Sequence, residues 1–385
     1  MRNILVLTEI FPPKHGGSGR WFWEIYSRVK SVNVVFAAGL HADSEKFDQN
    51  TEAKIIRLPL ASEEWGFRSF KGLLFYIKTW WKVREICKTE KISEIHCGRC
   101  LPEGVVAWLA KLSSGVSYSC YVHGEDVETS RSSREFVLLT KVVIKSADKI
   151  ICNSQNSADI MLNRWGVSEE KVVVLHPGVD INKFSPEPKR PKPTTWTGRT
   201  VLLTVGRLQK RKGHDMLIRA LPRLREIFPD ILYSIIGDGQ ERENLEALSK
   251  AIHVQKCVEF RNEVSDEDMV ACYQNCSLFV LPNRTIGYDI EGFGMVLLEA
   301  QACGKGVMAG NSGGTKETFE EGRSGFIVDC SEPEYLVEII GKVLNQFDLE
   351  ALGRIGREMV IDKFSWESLA LDMDRMLIQS KEVDY

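Results

Sequence analysis

Short apolar runs alternate with helical patterns along the chain, and the alternation stops once and then starts again. Runs at 4–7, 32–37, 54–58, 94–97, 118–122, 149–152 and 171–175 are mostly spaced by helical stretches. Strand-length apolar runs separated by helix-length patterns predict βαβ units, hence a parallel sheet covered by helices on both faces. Segment 185–193, Ser-Pro-Glu-Pro-Lys-Arg-Pro-Lys-Pro, then packs prolines at a density that no helix or central strand accommodates. Beyond it, runs recur at 201–205, 232–236, 258–260, 278–281, 306–309 and 325–328, with a helix expected over 215–228. The fold class is therefore α/β: two Rossmann-like doubly wound domains, 1–185 and 186–365, facing a central cleft. Ligands of such sheets bind beyond the carboxyl ends of the strands, so chemistry is sought in the loops that follow strands. An amphipathic stretch at 366–378 has no strand after it and could pack on either domain.

A length of 385 residues suits two domains with a core each. The net charge of -3 gives no reason to expect nucleic acid as a partner. Residues 1–185 hold 25 Lys+Arg against 21 Asp+Glu, which puts the basic surface on the N-terminal half. The N-terminal apolar run is too short for a signal peptide and no apolar stretch approaches a membrane span, so a cytoplasmic location is expected. Ten cysteines then read as reduced thiols. Cys97-Gly-Arg-Cys100 has no second such pair and no histidine pair at zinc spacing, and reads as two neighbouring loop thiols.

Four loops carry unusual composition. His15-Gly16-Gly17-Ser18-Gly19 lies between the first strand and the first helix, where glycines permit close backbone approach and a helix start offers free N–H groups to a diphosphate. A tight structural turn would look the same. Gly206-Arg-Leu-Gln-Lys-Arg-Lys-Gly213 follows the first strand of the second domain. Arg207 and Lys212 could both reach one anion, whereas Lys210 and Arg211 read as a solvated basic surface. In Glu291-Gly-Phe-Gly-Met-Val-Leu-Leu-Glu299, Glu291 belongs to a loop and Glu299 to an apolar helix, and both can line one pocket. Glu299 among leucines and alanines needs a partner, for which the vicinal hydroxyls of a ribose would serve. His123-Gly-Glu-Asp126 follows the strand at 118–122. There a site role competes with the ordinary structural histidine.

Taken in order, these motifs resemble those of the family 4 (group 1) glycosyltransferases, nucleotide-sugar enzymes of the GT-B fold that retain anomeric configuration. The resemblance rests on Gly206-Arg-Leu-x-x-x-Lys-Gly213, Gly237-Asp-Gly239, Glu291-Gly-Phe-Gly-x-x-x-x-Glu299, Gly313-Gly-x-x-Glu317 and Gly325-Phe-x-Val328. In the N-terminal half it rests on the Gly-Gly loop, His123-Gly-x-Asp126 and Pro177-Gly-Val-Asp180. It implies that Arg207 and Lys212, with Gly206, clamp the donor diphosphate, assisted by the amides of Gly16 and Gly17. It further implies that Glu299 holds the ribose, and that Glu291 with Gly292, Phe293, Gly294, Met295 and Val296 holds the donor sugar. His123 and Asp126 would lie near the reacting sugar, and the loop 260–264, with Arg261 and Val264, would frame the base. His123, Glu291, Arg207 and Lys212 are the catalytic candidates. The resemblance also implies that the C-terminal segment, 366–385, crosses back to the first domain, the acceptor side, while the second holds the donor. No cofactor is expected. Asp372-x-Asp374 lies in a helical pattern where i and i+2 diverge, so it reads as solvated surface and no metal is expected. This chain has Gly306 where the family usually has proline, and Pro177 where it usually has asparagine; neither is a candidate site residue.

The donor partner is then a nucleoside-diphosphate sugar, with UDP or GDP foremost, and the acceptor a glycan, a lipid-linked glycan or a small molecule. Segment 65–91 interleaves aromatic with basic residues and is a candidate for peripheral contact with the inner face of a membrane. Against that, Phe70, Leu73, Leu74, Ile77 and Trp81 form a stripe expected to face the core, leaving Phe75, Tyr76 and Trp80 off it. A sugar-nucleotide epimerase of the same fold and a silent sugar-nucleotide-binding protein are the competing readings. The full set Arg207, Lys212, Glu291 and Glu299 argues against both. A dehydrogenase is disfavoured because neither domain opens with GxGxxG.

Overall fold

The computed structural model describes residues 2–14, 16–62, 64–262 and 264–379. The chain forms two compact units, one running to Pro177 and regaining the chain at Trp366, the other Gly178–Ser365. The first unit holds β1 (Asn3–Thr8), β2 (Asn33–Gly39), β3 (Lys54–Leu58), β4 (Ile92–Cys97), β5 (Ser117–Val122), β6 (Lys149–Cys152) and β7 (Val172–Val174). They lie in the order β3-β2-β1-β4-β5-β6-β7, every pair parallel. The second unit holds β8 (Thr200–Val205), β9 (Ile231–Ile236), β10 (Val258–Arg261), β11 (Leu278–Leu281), β12 (Val307–Gly310) and β13 (Gly325–Val328). Its parallel sheet runs β10-β9-β8-β11-β12-β13. In each sheet the strand order reverses beside the first strand, at β1/β4 and at β8/β11. The loops leaving these strands part there and open a place for a ligand.

Both faces of the second sheet are covered, as parallel pairing requires. Along β8, Val201, Leu203 and Val205 enter the layer shared with the helix Met295–Ala302. Leu202 enters the opposite layer with the helix His214–Ile227. The division between units falls at Pro177–Gly178, ahead of the proline-rich segment. Val179 N–H donates to Phe364 O at 2.8 Å, Phe184 is buried in the second core, and the Gln274 amide donates to Ser185 O at 2.7 Å and Pro188 O at 3.1 Å. Residues 178–188 are thereby tied to the second unit.

The helix Trp366–Gln379 packs in the first unit. Asp374 accepts from the N–H groups of Lys30 (3.1 Å) and Ser31 (2.8 Å), and the Arg2 guanidinium donates to Leu377 O at 3.1 Å. Asp374 is thus an anchor for the 30–31 turn rather than solvated surface, while exposed Asp372 pairs with Arg375. The remainder of the 366–385 segment lies outside the described residues, as do His15 and Glu263 of the two candidate loops.

The stripe expected to face the core of the helix Phe70–Thr89 faces outward instead. Phe70 is 80% exposed, Trp81 56% and Ile77 43%, whereas Tyr76 is buried with Gly72, Thr79, Val83 and Ile86. Two interleaved i, i+3, i+4 sets compete on this helix, and tertiary contact selects one. The Tyr76 hydroxyl donates to Trp65 O at 2.9 Å and its ring meets Phe67 edge-on, while Ser69 caps the helix by accepting from Gly72 N–H. These contacts turn the Tyr76 face inward.

Beneath the first sheet runs a buried polar thread, from Tyr121 through Tyr26 and His96 to Glu94. Glu94 also accepts from Ser119 at 2.7 Å and lies 3.5 Å from Arg2. Burial pushes its carboxyl up, but His96, Ser119 and Arg2 outweigh burial and hold it at about 2. A depressed carboxyl stabilises the fold above its unfolded value, near 4.5, and loses that contribution as pH falls toward 2. Glu94→Gln is therefore expected to cost about 3 kcal/mol at neutral pH. Denaturant midpoints measured from pH 7 to pH 2 should show the gap to the parent closing below about 4.5.

Candidate active site

At the carboxyl end of β8 the chain makes the loop 206–213, whose last turn is Lys210–Lys212. Gly213 ends it with φ 70° and a Cα pressed on the next loop, where a Cβ would stand 1.7 Å from Pro282 O. Only glycine fits there, and this contact locks the basic turn against the loop that leaves β11. Lys212, buried, lies over Gly206, with Cε 3.7 Å from where a Gly206 Cβ would be, and its Nζ is 2.7 Å from Glu291 Oε2. Arg211 Nη1 donates to the same Glu291 oxygen, and Arg211 Nε lies 3.0 Å from Asp289 Oδ1. Arg211 is thus 4% exposed and not the solvated residue expected, because the two carboxylates of the β11 loop draw its fork inward. Its neighbour Lys210 is exposed.

The loop that carries Glu291 is tied on three sides. Arg284 N–H donates to Arg211 O at 2.7 Å, and its guanidinium grips Asp215 with two bonds of 2.9 and 2.8 Å. On the far side Gly313, at φ 61°, sits so close that a Cβ would be 1.7 Å from Glu291 O, and Gly314 N–H donates to that oxygen at 3.1 Å. Burial pushes the Glu291 carboxyl up, but Lys212 and Arg211 more than offset it and hold the group ionised below its ordinary range. Asp289 is raised, with burial foremost; Arg211 opposes that rise and the charge of Glu291 adds to it. Arg207 is exposed and, among the described residues, forms no ion pair. Three cations (Arg207, Arg211, Lys212) against two carboxylates leave one net positive charge, which suits this strand end to an anion.

The remaining candidates of this unit divide. Gly294, φ 96°, starts the helix Met295–Ala302, on which Glu299 is buried and accepts from the Tyr273 hydroxyl at 2.7 Å. Glu299 therefore already has a partner, which the sequence did not point to, whereas Glu291 takes Arg211 and Lys212. The Phe293 side chain is buried 5.9 Å from Phe364, and Met295 and Val296 pack on the same core. Those three can offer a ligand their backbone groups at the helix start, with Gly292 beside them. Arg261 lies against Cys272 Sγ at 3.0 Å and near Glu259, and Val264 joins the core.

In the first unit, Gly16 is the N-cap and Gly17 the first residue of the helix Gly17–Tyr26; both are exposed. His123 Nε2 donates to Gly98 O at 2.8 Å while its ring meets Trp21 and Phe22 edge-on, which fixes the ring's orientation. Asp126 Oδ1 accepts from His123 N–H at 3.0 Å, and its Oδ2 is buried without a partner among the described residues. Sequence reasoning missed a charged cluster nearby. Arg99 pairs with Glu9 and with buried Glu103, Lys14 pairs with Glu9, and Arg99 lies 5.1 Å from the Trp65 ring. The flanking Cys97 and Cys100 drew attention away from Arg99. Both are buried rather than loop thiols, Cys97 ending β4, and the Cys100 sulfur lies 3.6 Å from Cys120.

Two doubly wound units of this kind are the GT-B architecture. The structure of Anabaena HepE with UDP and glucose matches it with a TM-score of 0.79 at 19% identity, over 98% of this chain and 99% of that one. The model for group 1 glycosyl transferases matches residues 186–359, and that for glycosyltransferase family 4 matches 15–183. A GDP-mannose-dependent monoacylated α-(1-6)-phosphatidylinositol monomannoside mannosyltransferase of Corynebacterium glutamicum is 30% identical over 387 residues, 98% of each chain. A GDP-mannose-dependent α-(1-6)-phosphatidylinositol monomannoside mannosyltransferase of Mycolicibacterium smegmatis is 28% identical over 392 residues, 98% of this chain and 99% of its own. The chain belongs to the family 4 (group 1) glycosyltransferases and is a transferase of the GT-B fold.

The buried pairing of Arg211 has a measurable consequence. Arg211→Ala should destabilise the protein by about 3 kcal/mol, the lower end for breaking a buried ion pair, since Lys212 still faces Glu291. Lys210→Ala should stay within about 0.5 kcal/mol of the parent. Equal midpoints for the two variants in urea denaturation would remove the structural role given to Arg211.

Proposed function

We propose that the protein moves a hexosyl unit, mannose foremost, from a GDP-sugar to a hydroxyl of a lipid-linked acceptor, retaining anomeric configuration and needing no metal. The observation that carries the reading is the net positive cluster of Arg207, Arg211 and Lys212 at the β8/β11 reversal, beside a carboxylate held ionised. In glycosyl transfer, negative charge grows on the departing diphosphate as the sugar becomes oxocarbenium-like. Preorganised cations beside that charge supply the largest single term of the rate. Arg207 and Lys212 take this role, with Gly206 giving the close approach and the amides of Gly16 and Gly17 assisting. Glu299, steadied by Tyr273, accepts from the ribose hydroxyls. Glu291, with the amides of Gly292, Phe293, Gly294, Met295 and Val296, holds the donor sugar. Arg261 and Val264 frame the base, and His123, oriented by Gly98 and followed by Asp126, faces the reacting sugar. The second unit takes the donor and the first the acceptor.

The choice of GDP-mannose and of a lipid acceptor follows the names of the Corynebacterium and Mycolicibacterium relatives. The outward apolar stripe of the helix Phe70–Thr89 supports a place at the inner face of a membrane. No helix among the described residues is long and apolar enough to cross one. Neither an epimerase nor a silent binding protein draws support from these relatives.

Thermal unfolding with GDP, UDP, ADP and TDP, each with and without magnesium, tests the donor. GDP at a hundred times its dissociation constant should stabilise by about 2.7 kcal/mol, with or without the metal. A larger shift with UDP would replace the donor, and a strict need for magnesium would overturn metal independence. Lys212→Ala should lower kcat with GDP-mannose by roughly 10²–10³-fold. NMR of the product anomeric proton should show the α configuration of the donor, and a β product would end the retaining assignment.

A further inference from the structure

The helix Phe70–Thr89 and the helix Val105–Ser114 enclose an apolar groove of about 460 Å³ in the first unit, and no part of the proposed transfer uses it. Phe67, Leu73, Ile77, Trp80, Trp108 and Leu112 are among its lining residues. Its volume is that of a small-molecule site, and three of its apolar lining side chains stand open to solvent: Leu112 is 67% exposed, Ile77 43% and Leu73 40%. Phe70, Leu74 and Trp81 extend the exposed apolar surface along the first helix. A contiguous apolar surface on a folded protein marks a binding face.

The cations of the first helix, which flank its exposed apolar stripe, say what this surface binds. Lys71, Lys78, Lys82 and Lys88 are exposed on the same helix and, among the described residues, none of them pairs with a carboxylate. Arg84 lies over the Trp81 ring at 5.7 Å. Unpaired cations around an apolar surface complement an anionic head attached to an apolar tail. The ten residues of the second helix run about 15 Å, a length suited to a chain lying along the groove. The upper end approaches the polar part of the unit, since Trp65, two residues before Phe67, packs on Arg99 and accepts from Tyr76.

We infer that this groove takes one acyl chain of an anionic phospholipid, drawn up from the bilayer while the lysines hold the headgroups. The inference rests on the membrane contact proposed above and goes further, because a protein lying on a bilayer need not take a chain into its fold. Vesicles of phosphatidylglycerol and phosphatidylcholine, plain or brominated deep in the acyl chains, separate the two. Sedimentation with plain vesicles reports membrane contact by itself. Brominated chains are expected to quench tryptophan emission, and Trp108→Phe to remove a measurable part of that quenching, because Trp108 lines the groove. Ile77→Glu, which places a charge in the groove, is expected to weaken vesicle binding at least tenfold. Leu138→Glu replaces a more exposed leucine of the first unit, outside the groove, and is expected to change binding less than twofold. Sedimentation with no effect of Trp108→Phe on quenching, and with Ile77→Glu equal to Leu138→Glu, would overturn the acyl site and leave the membrane contact standing. Absence of sedimentation would overturn both. A GDP-induced thermal shift, measured on the same variants, stays at the parental value if their fold is intact.

Discussion

A single carboxylate oxygen organises the second unit's functional edge. Glu291 Oε2 receives both Lys212 and Arg211, and all three side chains are buried. An ionised carboxylate removed from water is tolerable only with such partners. The pairing fixes the loop after β8 relative to the loop after β11, and the glycine–carbonyl contacts at Gly213 and Gly313 leave the backbone no room to drift. Charge balance is the second result. Because Arg211 shares in neutralising Glu291, Lys212 is not consumed by it, and the cluster keeps the excess positive charge on which its proposed role beside a diphosphate depends.

The first unit is organised differently. Two polar networks tie it together, Glu9, Arg99 and Glu103 at the end of β4 and the thread from Tyr121 to Glu94 under the sheet. It also leaves apolar surface open: the outward stripe of the helix Phe70–Thr89 and the groove beside it. The second unit thus holds a buried ion cluster, and the first an open apolar stripe on a helix that also carries exposed lysines. The open apolar stripe is the feature on which the proposed lipid acceptor leans.

The strand runs were legible almost to the residue, since a parallel strand buried on both faces must be apolar throughout. Residues 149–152, 278–281 and 325–328 emerge with the bounds expected of them. The basic loop and the two glutamates were legible as motifs because glycines at strand ends bracket them. Their pairing was not. Arg211 and Lys210 are adjacent cations with opposite fates, and nothing local separates them: the difference lies in Asp289 and Glu291, some eighty residues away in the chain. Arg99 was hidden in part for the same reason: Glu103 is only four residues on, but Glu9 is brought to it by β1 from ninety residues away.

Periodicity alone determined that this chain would be two parallel α/β sheets, because the burial demanded of a strand or helix is written in every few residues. It also marked which loops were candidates for chemistry, because a strand's carboxyl end is where polar and glycine residues interrupt apolar runs. It could not determine which face of the helix Phe70–Thr89 turns inward. Two apolar stripes of similar strength share that helix, and the choice between them fell to Tyr76 meeting Trp65 and Phe67. Nor could it determine that Glu299 would meet Tyr273, or that Lys212 would meet Glu291. Those are contacts between distant segments, and only the closing of the sheet brings them within bonding distance.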